Sequence, residues 1–111
     1  MKLKKPLIIK NFGAEERKIE EINIKKEDFT AKILLEAERE FLLTGGIFPK
    51  GEMEGSRAYL GLIASKIIGC TPSDLEILSA IEYIKITNMI KGFFDGLEYQ
   101  TLMELLSEKS E

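Results

Sequence analysis

Cys70 is the single cysteine of this 111-residue chain and its only candidate thiol nucleophile. A nucleophilic cysteine needs a neighbouring base or cation to hold it as thiolate near neutral pH. The chain contains no histidine, which removes the usual base for that task and the commonest transition-metal ligand. One cysteine also rules out a disulfide within the chain and a cysteine-based zinc site. Lying just past Gly69, Cys70 reads as a small, half-buried residue. The acids Glu36, Glu38 and Glu40 suggest a metal site at first sight, but neighbours two apart on a helix do not share a face, and a solvated surface is the better reading. Gly13 and Gly45-Gly46 are too isolated for a phosphate loop, and Lys50-Gly51 lacks the strand and glycine pattern such a loop requires. No catalytic residue, metal or cofactor is expected, and the chain reads as a protein that binds rather than one that transforms.

Two further features invite a functional reading. The run IASKIIGCTPSDLEILSAI has the spacing of a helix-turn-helix, yet residues 70–84 contain no Arg, Lys, Asn or Gln and do contain Asp74, Glu76 and Glu82. A DNA reader needs cations for phosphates and amide or guanidinium groups for base edges, so this chemistry repels DNA. Thr87 and Asn88 stand in an otherwise apolar helix, where a lone polar group fixes register between helices or simply faces solvent.

The elements that carry these residues follow from hydrophobic period. Residues 3–9 and 19–24 read as two short strands, with Ile19, Ile22 and Ile24 spaced nearly by twos. Asn11-Phe12-Gly13-Ala14 supplies turn chemistry and Pro6 puts the first strand at an edge. Such a hairpin is marginal alone and must dock on the helices. From Asp28, the expected N-cap, Phe29, Ile33, Ala37 and Phe41 form a helical stripe with Leu34 and Leu42 alongside, ended by Gly45-Gly46. Residues 47–55 read as a loop in which Phe48 and Met53 are contact residues or a lid. A second helix spans 56–68 with Leu60, Ile63, Ala64, Ile67 and Ile68 on its core face and Gly69 as its stop. Thr71-Pro72 restarts the chain as N-cap and first helical residue, with Asp74 in the first turn, for a short helix to about residue 78. Ser79-Ala80-Ile81-Glu82 is a capping box opening a longer helix to about Phe94. Ile81, Ile84, Asn88 and Lys91 share one of its faces, and Tyr83, Ile86, Ile90 and Phe93 another. Being apolar around much of its circumference, that helix is expected to be central or oligomer-forming. Gly96 should close it, and Leu102, Met103, Leu105 and Leu106 mark a short amphipathic helix over about 99–108 that needs the core or a partner.

The fold expectation is therefore a small, mostly helical α+β domain, its N-terminal hairpin (2–25) packed on about four helices (28–94). Residues 1–96 form the domain and 97–111 a short acidic tail. A composition of 44% hydrophobic and 32% charged residues is that of a globular protein. The apolar runs are far shorter than the roughly 20 residues of a membrane span, and no secretory leader is recognisable at MKLKKPLIIK, so a cytoplasmic protein that binds neither membrane nor nucleic acid is expected. The net charge of −3 is unevenly placed. Residues 1–10 carry Lys2, Lys4, Lys5 and Lys10 without an acid. Residues 95–111 carry Asp95, Glu98, Glu104, Glu108 and Glu111 against Lys109. Solvated termini explain this, and head-to-tail contact between subunits would use it.

Three segments, in order, resemble the small tail assembly chaperones of long contractile-tailed bacteriophages and prophages, the group that includes the Mu-like and P2-like chaperones. They are the opening strand LKKPLII, the second strand IEEINIKKEDF, and the run IASKIIGCTPSDLEILSAIEYIKITNMIKGFF with its acid–aromatic pair Glu82-Tyr83 and its closing Phe93-Phe94. The likeness covers roughly residues 2–95, weakest over 45–55, and rests on order and spacing rather than on any diagnostic residue. The turn GAEERK and the tail after Gly96 depart from the pattern. The resemblance implies a non-enzymatic chaperone that binds the phage tape measure protein, a long helical chain, and keeps it soluble until tail tube subunits polymerise around it. It implies action in the bacterial host cytoplasm, absence from the mature virion, self-association, and a companion form of the protein lengthened by a ribosomal frameshift. Partner-binding residues are expected on the last helix and tail: Tyr83, Ile86, Ile90, Phe93, Phe94, Leu102, Leu105 and Leu106. The alternatives are a structural or adaptor component of the tail and, less favoured, a small helix-turn-helix-like DNA-binding regulator.

Overall fold

The computed structural model describes residues 1–9, 16–45 and 56–109. The expected turn at 11–14, the second glycine of Gly45-Gly46 and the loop 47–55 with Phe48 and Met53 lie outside them. Strands β1 (Lys2–Ile9) and β2 (Arg17–Glu21) form an antiparallel pair, followed by a 3-10 turn at Lys26–Asp28 and helices α1 (Ala31–Leu43), α2 (Arg57–Ile68), α3 (Pro72–Leu75) and α4 (Ala80–Lys109). The architecture is the expected α+β hairpin on four helices.

The hairpin is regular only at one end. Leu7, Ile8 and Ile9 pair with Ile19, Lys18 and Arg17, whereas Lys2 pairs with Glu21, so the register shifts around Pro6. Proline has no N–H to give to a ladder, and the Lys4 N–H is donated instead to Glu82 Oε2 at 2.9 Å. The second strand is shorter than its isoleucine spacing suggests: β2 stops at Glu21, and Ile22 and Ile24 are buried from the segment beyond it. Leu7 and Ile9 are buried beside them in one core.

Helix α1 begins later than its acids imply. Thr30 is the N-cap, its hydroxyl accepting from Ile33 N at 3.2 Å. Asp28 instead accepts from Lys25 N at 2.8 Å within the 3-10 turn. Thr30 prevails because its extended backbone directly precedes the first helical residue, the geometry an N-cap requires. The stripe Ile33, Ala37 and Phe41 faces the core, but Leu42 is half exposed. Gly45 adopts a φ of +86° after the helix, as expected of a left-handed terminator.

The central helix is α2, not α4: every residue over 59–65 is buried. Gly61 makes this possible, since a Cβ there would stand 2.1 Å from the Tyr83 hydroxyl of α4. Gly69 ends α2 at φ +85°, and Arg17 of β2 donates to the Ile68 carbonyl at 3.3 Å, placing a cation at the negative end of the helix. Lys66 joins α2 to α1 through Glu40 and, at 3.8 Å, Glu36. These two acids are four apart and do share a face. Thr71 and Asp74 close a complete capping box for α3, which is only one turn long rather than reaching residue 78.

The largest departure from expectation is in α4, which runs unbroken from Ala80 to Lys109. Gly96 does not close it, because a glycine ends a helix only by turning left-handed. In a right-handed conformation it costs about 1 kcal/mol relative to alanine and the helix continues. The boundary expected at 96/97 is therefore not a break in secondary structure. Among the described residues no helix is long and apolar enough to cross a membrane.

Candidate functional site

The eight residues expected to contact a partner divide into two groups. Ile86 and Ile90 have no exposed surface and Phe94 is 9% exposed; all three belong to the domain's own core. Phe93 and Tyr83 are partly buried against that core. Phe29 lies 5.0 Å from Phe93 and 6.0 Å from Phe94, ring centre to ring centre, and Tyr59 stacks on Phe94 at 6.4 Å. Such aromatic pairs add about 0.5–1.5 kcal/mol each beyond the area they bury. The aromatic end of the first part of α4 thus holds α4 to α2 and to the segment leading into α1.

The second group is exposed. Leu102, Leu105 and Leu106 remain 53%, 50% and 51% accessible, with Met103 beside them at 47%. Leu102, Leu105 and Leu106 stand at i, i+3 and i+4, one face of a helix. Every described side chain over 100–107 is exposed. Lys26 Nζ donates to Gln100 Oε1 at 2.7 Å, tying this part of α4 to the turn before α1. Beyond that contact the helix stands out from the body, and the molecule extends 55 Å along its long axis against 31 and 28 Å across.

Two concave surfaces accompany this helix. A groove of about 750 Å³ lies between the end of α1, α2, α3 and the start of α4. Phe41, Leu62, Leu75, Leu78 and Tyr83 give it an apolar lining. Burial raises the Tyr83 phenol above its ordinary value, with Arg57 opposing the shift. A smaller recess of about 430 Å³ sits at the opposite end of α4 from the tail, between β1 and the α3–α4 junction. Lys4, Lys5 and Pro6 form one wall and Ile77, Leu78 and Ser79 the other, over Glu82.

Glu82 is the N-terminal anchor of α4. Its own N–H donates to Ser79 Oγ at 3.2 Å, as a capping box requires, and the Ser79 hydroxyl donates back to Glu82 Oε1 at 3.1 Å. With Oε2 taken by the Lys4 N–H, the carboxylate bridges strand and helix. That N–H, assisted by Ser79 and the nearby Lys4 charge, holds its pKa below the ordinary carboxylate range against the opposing effect of burial. No local sequence signal pairs residues 4 and 82, so the latch was not foreseeable.

Thr87 is fully buried, while Asn88 is exposed. Arg57 donates to Thr87 Oγ1 at 2.6 Å and to Asn88 Oδ1 at 3.2 Å, so the polar pair fastens α4 to the first turn of α2. This is the register role that a polar pair in an apolar helix suggests. Cys70 is half-buried and its thiol is pushed up to about 11, first by burial and then by the charge of Asp74, with Arg17 opposing. At neutral pH it is protonated and a poor nucleophile. Among the described residues no three acidic or thiol side chains are grouped to hold a metal ion.

What these parts offer is contact surface: an apolar helix face projecting from a rigid body, an apolar groove and a basic-walled recess. No protein-family model matches the chain, and neither the curated proteins nor the solved structures contain a match to it.

Proposed function

We propose that the chain is a non-enzymatic tail assembly chaperone of a bacteriophage or prophage, which binds the tape measure protein and keeps it soluble in the host cytoplasm until tail tube subunits polymerise. The observation that carries this reading is the last third of α4, where four large apolar side chains stand half exposed on a projecting helix. A helix whose apolar face is left uncovered by the described residues is suited to pair with the apolar stripe of another helix, as in helix-in-groove recognition. A tape measure chain supplies many such stripes, and a contact confined to one exposed face can exchange. The order of the three sequence segments favours this partner over other helical clients.

The test is co-expression with the long helical protein encoded in the same gene cluster, followed by solubility measurement and pull-down. The chain should bring that protein into a soluble complex. Leu102→Asp with Leu106→Asp should abolish the complex while the domain keeps its helical circular dichroism. Failure of the unaltered chain to solubilise the tape protein, or full activity of the double variant, would overturn the proposal. Recovery of the chain in purified virions would instead make it a structural component of the tail.

A further inference from the structure

We infer that the end of α4 beyond Phe94 is a helix–coil switch, which opens at Gly96 in the free chain and closes when a client is bound. As to the client this rests on the chaperone reading; the switch itself is a property of the free chain, and the structure shows its closed form. Residues 97–109 make up 13 helical positions, the length of α1. Helix α1 buries Ala37 and Phe41 and packs Ile33 and Leu34 against the core, whereas every described side chain over 100–107 is exposed. A helix of that length without a packed face is marginal in water. Gly96 weakens it further. A glycine inside a helix lowers the ratio of helix to coil about fivefold relative to alanine, and nothing lies within 4 Å of its Cβ position.

Gln100 marks how far the body supports this helix. Lys26 Nζ donates to its Oε1 at 2.7 Å, and Leu97, one turn earlier, is half-buried. Thr101 Oγ1 donates to the Leu97 carbonyl at 2.9 Å and Gln100 Nε2 to Glu104 Oε1 at 3.3 Å, both within the helix. Local pairs of this kind change the ratio of helix to coil by about twofold. The closed form sets Leu102, Leu105 and Leu106 on one face; in coil they share none, and the surface offered to a client helix is gone. The apparent affinity for a client is then the intrinsic affinity reduced by the closed fraction, and a client that binds only the closed form favours it in turn. The opening of Gly96 thus governs how readily a client is released.

Amide hydrogen exchange of the purified full-length chain tests the switch without a client, so its failure leaves the chaperone reading untouched. Amides of residues 101–107 should exchange within about tenfold of the coil rate. Those of 86–94, around the buried Ile86, Ile90 and Phe94, should be protected at least about a hundredfold more. Gly96→Ala should raise protection over 101–107 about fivefold, and Lys26→Met, which removes the tie to Gln100, should bring it closer to coil; neither should alter 86–94. In the soluble complex with the long helical protein of the same gene cluster, protection over 101–107 should rise at least about tenfold. Gly96→Ala should bind that protein more tightly, by no more than the same factor of about five. Equal protection on both sides of Gly96 in the free chain would overturn the inference, as would a Gly96→Ala chain that exchanges like the unaltered one. So would a complex in which 101–107 stay as open as in the free chain. If no complex forms, the coupling to a client falls with the chaperone reading, and exchange in the free chain alone decides the switch.

Discussion

Along α4, Ile86 and Ile90 are fully buried, whereas Leu102, Leu105 and Leu106 on the same helix each keep about half their surface in water. Both stretches carry large aliphatic side chains at helical spacing, and neither contains a proline. The difference lies in what faces them. The first stretch meets α2, drawn close by Gly61 and locked by the Arg57–Thr87 bond, and its aromatic end meets Phe29 and Tyr59. The second has passed the edge of the body, and its polar tie there is Lys26 to Gln100. Apolar periodicity identifies the side of a helix that seeks cover; the cover itself belongs to tertiary structure, or to another chain.

Substitutions on the two stretches separate these roles. The largest effect is expected at Ile90: truncation to alanine leaves a cavity in the core and should cost about 2–5 kcal/mol, read from urea denaturation. Leu105→Ala should stay within about 0.5 kcal/mol, since its surroundings are solvent. Equal losses at the two sites would show that the end of α4 is packed in the isolated chain.

The next contrast applies one substitution to two glycines. Gly61→Ala puts a methyl group against the Tyr83 hydroxyl. Overpacking of about 1–3 kcal/mol outweighs the helix gain of about 1 kcal/mol. A net loss of about 1 kcal/mol is expected, and adding Tyr83→Phe should recover part of it. At Gly96 nothing lies within 4 Å of a built Cβ. Gly96→Ala should therefore stabilise the projecting helix, by at most about 1 kcal/mol, with a matching gain in ellipticity. A loss of helix on that substitution would mean that the glycine is a break after all.

The smallest change expected is in pH dependence. The folded-state pKa of Glu82 lies below its unfolded value, so its contribution is complete above the ordinary carboxylate pKa of about 4.3 and is lost as pH falls through the depressed one. Glu82→Gln should flatten the acid limb of the stability curve below about pH 4.3. An unchanged slope would remove the Lys4–Glu82 latch from the account of what holds the hairpin.

The legible parts of the fold were those written in local chemistry. Gly69 followed by Thr71-Pro72 specifies a helix end and restart through backbone sterics and capping groups within four residues. The stripe Ile33, Ala37, Phe41 names its own buried face. The rest failed for identifiable reasons. Asp28 and Thr30 are both competent caps, and which one wins depends on where the chain turns. Gly96 has a weak preference against helix that continuation on both sides overrides. The binding residues assigned on α4 mixed core with surface because one pattern describes both. The spacing of Leu102, Leu105 and Leu106 marks the apolar helix face that the structure leaves exposed; the recess at Lys4, Lys5 and Ile77 has no such mark, because it is assembled from segments more than 70 residues apart in the chain.

That distance bears on how the molecule comes into being. Strand β1 is synthesised before every other described element, yet its irregular end is completed by a carboxylate 78 residues later. Until α4 has begun to emerge, β1 and β2 have the ends of α2 and α3 to rest on but not the carboxylate that completes the irregular end of the hairpin. The Lys4–Glu82 latch is therefore a late event, deferred by loop closure over 78 residues. A nascent chain halted before residue 82 would keep an unlatched, lysine-rich leading strand, open to whatever edge it meets first.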